Sequence, residues 1–253
     1  MSVDLQSFKE ILIEDFANYM PLENNEGTYS ENKDYHVTTK WYPNDTQELF
    51  NKHLSDPTSK SLLYKLGWSN EQGDPVQIEY NLNVNGFRCK NTDTITEQGI
   101  LFLGCSHTFG VGLHEEQTFA HRVSSHFGKE CLNYGLPGKG LDISALYTML
   151  FLQDDLDISL IDAVVVFTPP LGRINYSVSD KVDEDTNIWA GELLALNSIK
   201  LFCLTNNLPL VIHDKINTIS SQHDWARDIG HYGPQTHNNI ACDIISELEI
   251  LIG

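Results

Sequence analysis

Short apolar runs alternate with segments of helical pattern from about residue 98 onward, and this alternation restricts the possible folds more than any other feature. Residues 100–103 are long enough for a buried strand, and 163–167 are continuously apolar; further strands are predicted near 131–133 and at 208–212. Strands that alternate with helices predict a parallel sheet with helices on both of its faces. The sequence therefore predicts an α/β fold for this part of the chain.

The helices between these strands are indicated by the spacing of their apolar residues. Phe119, Val123 and Phe127 are four residues apart, and Gly128 ends their run. Further helices are predicted near 143–150, near 189–205 and from Pro234, a good first helical residue, towards the end of the chain. Four strands make a small sheet, and a fifth would fit between residues 215 and 228.

Residues 1–95 differ in pattern, and we expect them to form an N-terminal cap or docking region beside an α/β domain of residues 96–253. Apolar residues between Leu5 and Tyr19 recur at helical spacing, and Pro21 ends that helix.

The remainder of this region predicts short elements. The polar stretch at 23–34 indicates a surface loop, and the leucines between Phe50 and Leu66 indicate short helices. Alternating apolar residues at 78–84 run into Asn85-Gly86, a pair typical of hairpin turns.

Charge and cysteine content narrow the classes of partner. The 35 acidic and 16 basic residues give a net charge of −19, which disfavours nucleic acid or an anionic membrane as the partner. Such a charge fits a solubility device, a saline habitat or a docking face. Five cysteines without CxxC spacing predict reduced thiols. Since neither a secretion signal nor a long apolar run is present, we expect a cytoplasmic protein, and virion association would leave the same sequence.

Ser106 stands at the turn between the first apolar run and the first helix of the α/β region. In open α/β folds, ligands and catalytic side chains collect at the carboxyl ends of the strands. A serine hydroxyl there, beside the N–H groups of a helix start, suits a nucleophile with an oxyanion donor. The alternative is a polar turn that only opens a helix.

Asp228 and His231 are three residues apart in a glycine-containing loop just before the last helix. This spacing lets the carboxylate accept from one ring N–H, which leaves the other nitrogen to take a proton from a serine hydroxyl. Right-handed crossovers place the loop on the same sheet edge as Ser106. The order Ser, Asp, His follows the logic of a hydrolytic triad. A helix-capping loop is the competing interpretation.

These segments resemble the sequence blocks of the SGNH (GDSL-type) hydrolase family, over about residues 78–250. Gly104–Gly112 resembles the first block of the family, and Asn83–Arg88 resembles the lead-in to that block. Asn133–Gly138 resembles the second block, and Asp228–His231 resembles the fifth. The resemblance implies a flavodoxin-like parallel sheet in a three-layer α/β/α sandwich. It also implies that Ser106 is the nucleophile, His231 the base and Asp228 its orienting acid, with the N–H groups of Ser106 and Gly138 as oxyanion donors.

Two positions depart from the family pattern. Cys105 replaces the aspartate that usually precedes the serine. In the third block, Pro170 stands about where an asparagine side chain is the third oxyanion donor, and proline has no N–H to offer. The residues near enough in sequence to replace that donor are Thr168, Arg173 and Asn175. Loss of one such donor typically lowers turnover by about 10²–10³.

The resemblance implies a serine esterase that works through an acyl-enzyme on a small acyl ester, with an O-acetyl group on a carbohydrate as the leading example, and without metal or organic cofactor. The histidines lack the HExxH spacing of zinc hydrolases. The rival hypothesis is a binding or structural protein that keeps the fold and has lost the chemistry, such as a virion or other assembly component. Homo-oligomer formation is compatible with either hypothesis.

Overall fold

A computed structural model of the chain describes residues 27–143, 145, 156–169, 184–213 and 224–252, with residues 184–190 described by their backbone alone. Several predicted features lie outside these residues: the helix of residues 5–19, most of the helix near 143–150, and residues 215–223 of the stretch 215–228 in which a fifth strand would fit. No helix within the described ranges combines the length and apolar character needed to cross a bilayer.

The N-terminal part begins with a three-stranded antiparallel sheet and two helices. The strands are β1 (Gly27–Tyr29), β2 (Val37–Thr39) and β3 (Tyr80–Leu82), in the order β1-β2-β3, and the helices α1 (Gln47–Ser55) and α2 (Pro57–Lys65) lie between β2 and β3 in sequence. Thr46 and Asp56 begin the two helices because their side chains accept from the N–H groups of Leu49 and Ser59. The predicted short helices are thus confirmed.

One expectation for this part was wrong, and another was confirmed only for its turn. Strand β1 lies inside the stretch predicted to be a surface loop. The predicted hairpin after β3 has its turn, in which the Gly86 N–H donates to the Asn83 carbonyl at 2.9 Å, but β3 pairs with β2 rather than with a returning strand. The Asn83 side chain binds the N–H groups of Asn85 and Phe87, so the chain after the turn is held locally.

The α/β part is built on a parallel sheet of four strands, β4 (Gly99–Gly104), β5 (Glu130–Gly135), β6 (Ile161–Phe167) and β7 (Leu210–His213), in the order β5-β4-β6-β7. This is the flavodoxin-like order, in which the first strand of the unit pairs with the second and the third. The predicted sheet is therefore confirmed. β5 is added on one side of β4 and β6 on the other, so the switch point at which ligands are expected lies between the carboxyl ends of β4 and β6.

Helices cover both faces of this sheet. They are α3 (Ser106–Phe109), α4 (Phe119–Phe127), α5 (Glu184–Thr205) and α6 (Pro234–Ile252), and short 3₁₀ helices lie at Thr92–Thr94, Glu115–Gln117 and Ile158–Leu160. On one face, α4 and α6 pack against Ile100, Phe102 and Val165. On the other face, α5 packs with Leu103 and Val166. Alternate residues of each strand thus enter opposite cores, which gives the predicted three-layer sandwich.

The N-terminal elements share a third core with the carboxyl edge of the sheet. Phe109 and Val111, which follow Ser106, pack with Tyr42, Tyr80 and other apolar residues of the region before residue 95. Ala226, from the segment before the last helix, belongs to the same core. The N-terminal part therefore contacts both segments that were expected to carry the chemistry.

Candidate active site

Ser106 begins helix α3 immediately after strand β4 and is only 2% exposed. The tight turn depends on Gly104, whose φ is +152° and where an added Cβ would meet the Phe167 carbonyl and the Thr108 side chain. The first N–H groups of a helix have no partner within the helix, so the turn directs such donors towards the sheet edge. This is the strand–turn–helix position predicted for Ser106.

Asp228 and His231 form a buried pair in the loop that precedes α6. The Asp228 Oδ2 and His231 Nδ1 atoms are 2.5 Å apart, and the side chains are 3% and 14% exposed. The other carboxylate oxygen, Oδ1, accepts from the N–H groups of Gly230 and His231 at 3.2 and 3.1 Å. The carboxylate is therefore fixed by its own loop and cannot rotate away from the ring.

This pair determines the tautomer of His231. An ionised carboxylate only accepts hydrogen bonds, so Nδ1 carries the proton that lies between the ring and Asp228. Nε2 is then left with a lone pair, which is the form of imidazole that takes a proton from a hydroxyl. The Asp228–His231 pair predicted from their spacing is present, and its geometry is that of a general base with its orienting acid.

The loop is closed and locally strained. The Ala226 N–H donates to the His231 carbonyl at 3.0 Å, and residues 225 and 232 form an antiparallel bridge. Between these bonds Ile229 has a φ of +53°, a left-handed conformation that β-branched residues rarely adopt. Such strain costs about 1–3 kcal/mol and persists only where the surroundings determine the conformation; it is found most often at functional sites.

The structure brings this loop against the segment that carries Ser106. The ring of His107, the residue after Ser106, lies 5.1 Å from the ring of His231 and stacks on that of Tyr232 at 4.3 Å. Farther along, the Arg227 N–H donates to the Gly112 carbonyl at 3.0 Å. His107 and Tyr232 are not predicted as site residues from the sequence, although each is the immediate neighbour of a predicted catalytic residue.

Gly138 lies just beyond the carboxyl end of β5, on the same sheet edge as Ser106. Its φ is +76°, it is exposed, and no atom lies within 4 Å of where a Cβ would be. Asn133, the first residue of the same predicted block, binds the Thr108 carbonyl with its side-chain amide and the Gly135 N–H with its side-chain oxygen. The block is therefore fixed to helix α3, and the backbone at Gly138 is open to a ligand.

The remaining predicted donors are less well placed or not described. The Thr168 N–H donates to the His213 carbonyl at 3.1 Å, and its hydroxyl lies 3.5 Å from the same oxygen, so both groups extend the β6–β7 pairing. Arg173 and Asn175, together with Pro170, lie outside the described residues.

His237 has a structural position. It is buried in α6, and its Nδ1 accepts from the N–H of Phe119, the first residue of α4, at 3.0 Å. Nε2 therefore carries the ring proton. Burial, reinforced by the neighbouring His107 and His231, holds the pKa of His237 well below its usual value of 6.5.

A separate cavity of about 190 Å³ lies near the start of β5, at the opposite end of the strands from Ser106. Tyr35, Lys90, Glu115, His121 and Cys131 are among its lining residues. Burial raises the pKa of the Cys131 thiol, which makes it a poor nucleophile. Across the described ranges, no three histidine, cysteine or carboxylate side chains are grouped so that they could hold a metal ion.

Comparison with known proteins gives similar structures but no similar sequences. No family model matches the chain, and no curated protein matches it. Solved structures that match include one described as a putative lipolytic protein of the G-D-S-L family from Desulfitobacterium hafniense DCB-2, with 12% identity, a TM-score of 0.36 and coverage of 60% of this chain and 99% of that one. Another is described as the lipase/acylhydrolase from Enterococcus faecalis, with 17% identity, a TM-score of 0.33 and coverage of 60% and 95%.

Proposed function

We propose that this protein is a serine ester hydrolase of the SGNH type. The observation that carries the proposal is the buried Asp228–His231 pair, with Nδ1 and Oδ2 2.5 Å apart, packed against the segment that begins at Ser106. The match of the surrounding residues to the family's sequence blocks supports the same assignment. A carboxylate held by two backbone N–H groups keeps the ring in one tautomer before any substrate binds.

In the proposed reaction, the Ser106 oxygen attacks the ester carbonyl carbon while His231 Nε2 takes the hydroxyl proton. Asp228 stabilises the imidazolium that forms, and the N–H groups of Ser106 and Gly138 bind the oxyanion. The tetrahedral intermediate expels the alcohol, which takes the proton from His231, and leaves the acyl group on Ser106. Water, deprotonated by His231, then attacks this acyl-enzyme and releases the acid together with free Ser106.

We further propose a small acyl ester as the substrate, with an O-acetyl group on a carbohydrate as the leading example. This choice rests on the family resemblance alone, because no described residue selects the acyl group or the alcohol. The proposed mechanism needs no metal ion or organic cofactor.

The test is the replacement of Ser106 by alanine. We expect Ser106→Ala to abolish both p-nitrophenyl acetate turnover and labelling by a fluorophosphonate, because both require the same oxygen nucleophile. The matched control is Ser124→Ala, which replaces a buried serine of α4 away from the loop. It should change neither the turnover nor the labelling. A Ser106→Ala protein that still labels would refute the assignment.

A second candidate function is binding without catalysis, as in a structural or assembly component. The observation that favours it concerns Thr168, one of the residues near enough in sequence to replace the missing asparagine donor. Its N–H and its hydroxyl both lie against the His213 carbonyl instead of facing a substrate oxyanion. A folded wild-type protein that neither labels with fluorophosphonate nor hydrolyses p-nitrophenyl acetate would favour this function.

A further inference from the structure

We propose that Asp45, in the N-terminal part of the chain, is a positioning residue that holds the His231 loop against the Ser106 segment by way of Arg227. This inference rests on the proposed function, since it concerns the geometry of the same site. It also gives residues 27–95, which the sequence predicts to form a cap or docking region, a role in the reaction.

Arg227 is fully buried between Ala226 and Asp228 in the chain, and its guanidinium points into the N-terminal part. Nε lies 3.0 Å from Asp45 Oδ1 and Nη2 lies 2.6 Å from Asp45 Oδ2, which makes a two-point ion pair. The remaining donors reach the carbonyls of Val76 at 2.7 Å and Lys40 at 2.9 Å. The side chain of Arg227, the neighbour of the proposed orienting acid, is therefore anchored by residues from before position 95.

Tyr80 connects this ion pair to the serine segment. Its hydroxyl donates to Asp45 Oδ2 at 2.5 Å and accepts from the Gly112 N–H at 2.8 Å. Burial, reinforced by the Asp45 charge, raises the pKa of Tyr80, so the phenol keeps its proton and this direction of donation.

These bonds form a closed ring. The Gly112 N–H donates to Tyr80, Tyr80 donates to Asp45, Asp45 accepts from the Arg227 side chain, and the Arg227 backbone N–H returns to the Gly112 carbonyl at 3.0 Å. The ring therefore joins the N-terminal part, the segment that follows Ser106 and the loop that carries His231. It fixes the distance between the last two, which the reaction requires to be short.

Two further hydrogen bonds support the loop from outside the ring, one from helix α1 and one from the turn after helix α2. His53 Nε2 donates to the Asp228 carbonyl at 3.1 Å, and Trp68 Nε1 donates to the Trp225 carbonyl at 2.7 Å. Such multiple anchoring explains how the loop keeps Ile229 in a left-handed conformation. A displacement of about 1 Å between reacting groups can cost about 10²-fold in rate, so anchors of this kind control turnover.

The test uses Asp45→Asn, which keeps the size of the side chain and removes its charge. We expect kcat for p-nitrophenyl acetate to fall about 10²-fold with KM nearly unchanged, because the site loses alignment rather than substrate contacts. The matched control is Glu130→Gln, which removes the charge from an ion pair of equal length, 2.6 Å, between Glu130 and Lys90. It should leave kcat and KM at their wild-type values.

Asp45→Asn is also made in a protein that already carries Asp228→Asn. If Asp45 acts by positioning the His231 loop, this second change adds little to the loss, because the dyad is already disabled. An equal loss in both backgrounds, or a folded Asp45→Asn protein with wild-type kcat, would overturn the proposal.

If Asp45→Asn does not fold, Tyr80→Phe is used instead, because it removes a single hydroxyl from the same ring. We expect this variant to lose about tenfold in kcat, and an unchanged kcat overturns the proposal.

A second readout separates this proposal from the proposed function. The His231 Nδ1 proton, shared with Asp228, is observable by proton NMR whether or not the protein turns over substrate. Asp45→Asn should shift or broaden this signal and Glu130→Gln should not. A wild-type protein without esterase activity or labelling would refute the proposed function, and the NMR result would still decide the positioning role: an Asp45→Asn signal identical to wild type overturns it.

Discussion

Two histidine–carboxylate pairs of this chain differ in their surroundings more than in their distances. His231 and Asp228 are 2.5 Å apart with side chains 14% and 3% exposed, whereas His126 and Glu249 are 3.1 Å apart with side chains 45% and 56% exposed. Asp228 is also held by two backbone N–H groups. The exposed pair is screened by water and free to separate, so it fixes neither ring orientation nor tautomer. Burial and backbone anchoring, rather than proximity alone, therefore prepare an imidazole for proton transfer.

The largest difference between the two pairs is expected when each carboxylate is replaced by its amide. We expect Asp228→Asn to lower kcat about 10⁴-fold, because an asparagine N–H donates to Nδ1 and moves the ring proton to Nε2, which can then accept none. Glu249→Gln should leave kcat unchanged. Steady-state rates with p-nitrophenyl acetate measure both, and similar losses in the two variants would contradict the distinction.

Ion pairs extend the comparison to stability. Arg227–Asp45 and Lys90–Glu130 both have a nitrogen–oxygen distance of 2.6 Å, but the first pair is 0% and 1% exposed and the second is 34% and 24% exposed. Arg227→Met leaves the Asp45 charge buried and unpaired, so we expect a loss of about 3–5 kcal/mol in the free energy of unfolding. Lys90→Met should cost at most about 1 kcal/mol. Urea denaturation gives both values, and equal losses would mean that distance rather than burial decides.

His237 differs from both pairs because it is buried and, among the described residues, no carboxylate binds its ring. Its effect is therefore expected in the pH dependence of stability. The pKa of His237 is well below its usual 6.5 in the folded protein, so on acidification the unfolded chain binds the proton first. The stability contributed by neutral His237 is thus fully present above about pH 6.5 and is lost as pH falls towards the folded-state pKa, by up to about 1.4 kcal/mol per pH unit.

His237→Asn keeps an acceptor near the Phe119 N–H and removes the titrating group. We expect its unfolding free energy to fall less steeply than that of the wild type between pH 7 and pH 5. Denaturation at several pH values measures the two slopes. Identical slopes would show that His237 does not take up a proton on unfolding in this range.

What could be predicted from the sequence was what depends on local pattern. Strands β4 and β6 follow from continuous apolar runs, and β5 and β7 from shorter apolar segments between predicted helices. The Asp228–His231 pair follows from a spacing of three residues in one loop. Strand β1 was missed because its three residues, Gly27–Tyr29, have no apolar run and gain their regularity only by pairing with β2.

The ring through Asp45, Tyr80, Gly112 and Arg227 could not be predicted in this way. Asp45 and Arg227 are separated by 182 residues, and no periodicity in either segment indicates the other. Their contact depends on how the N-terminal sheet and helices pack on the carboxyl edge of the parallel sheet. Once the structure shows that Arg227 is buried, its charge requires a partner, but the sequence alone does not reveal this burial.

The smallest expected effect compares two glycines with similar backbones. Gly138 has a φ of +76° and Gly128, which ends helix α4, has a φ of +62°, and neither has an atom within 4 Å of where a Cβ would be. Because the left-handed conformation costs other residues about 1–2 kcal/mol, Gly138→Ala and Gly128→Ala should lose similar unfolding free energy. Only Gly138→Ala should also lower kcat, by less than the 10²–10³ or so that follows loss of a whole oxyanion donor, since alanine retains the N–H but shifts it. Equal kcat in the two variants would remove Gly138 from the proposed oxyanion site. It would leave the Asp228–His231 assignment untouched, because Gly138 follows β5 whereas the pair lies in the loop before α6.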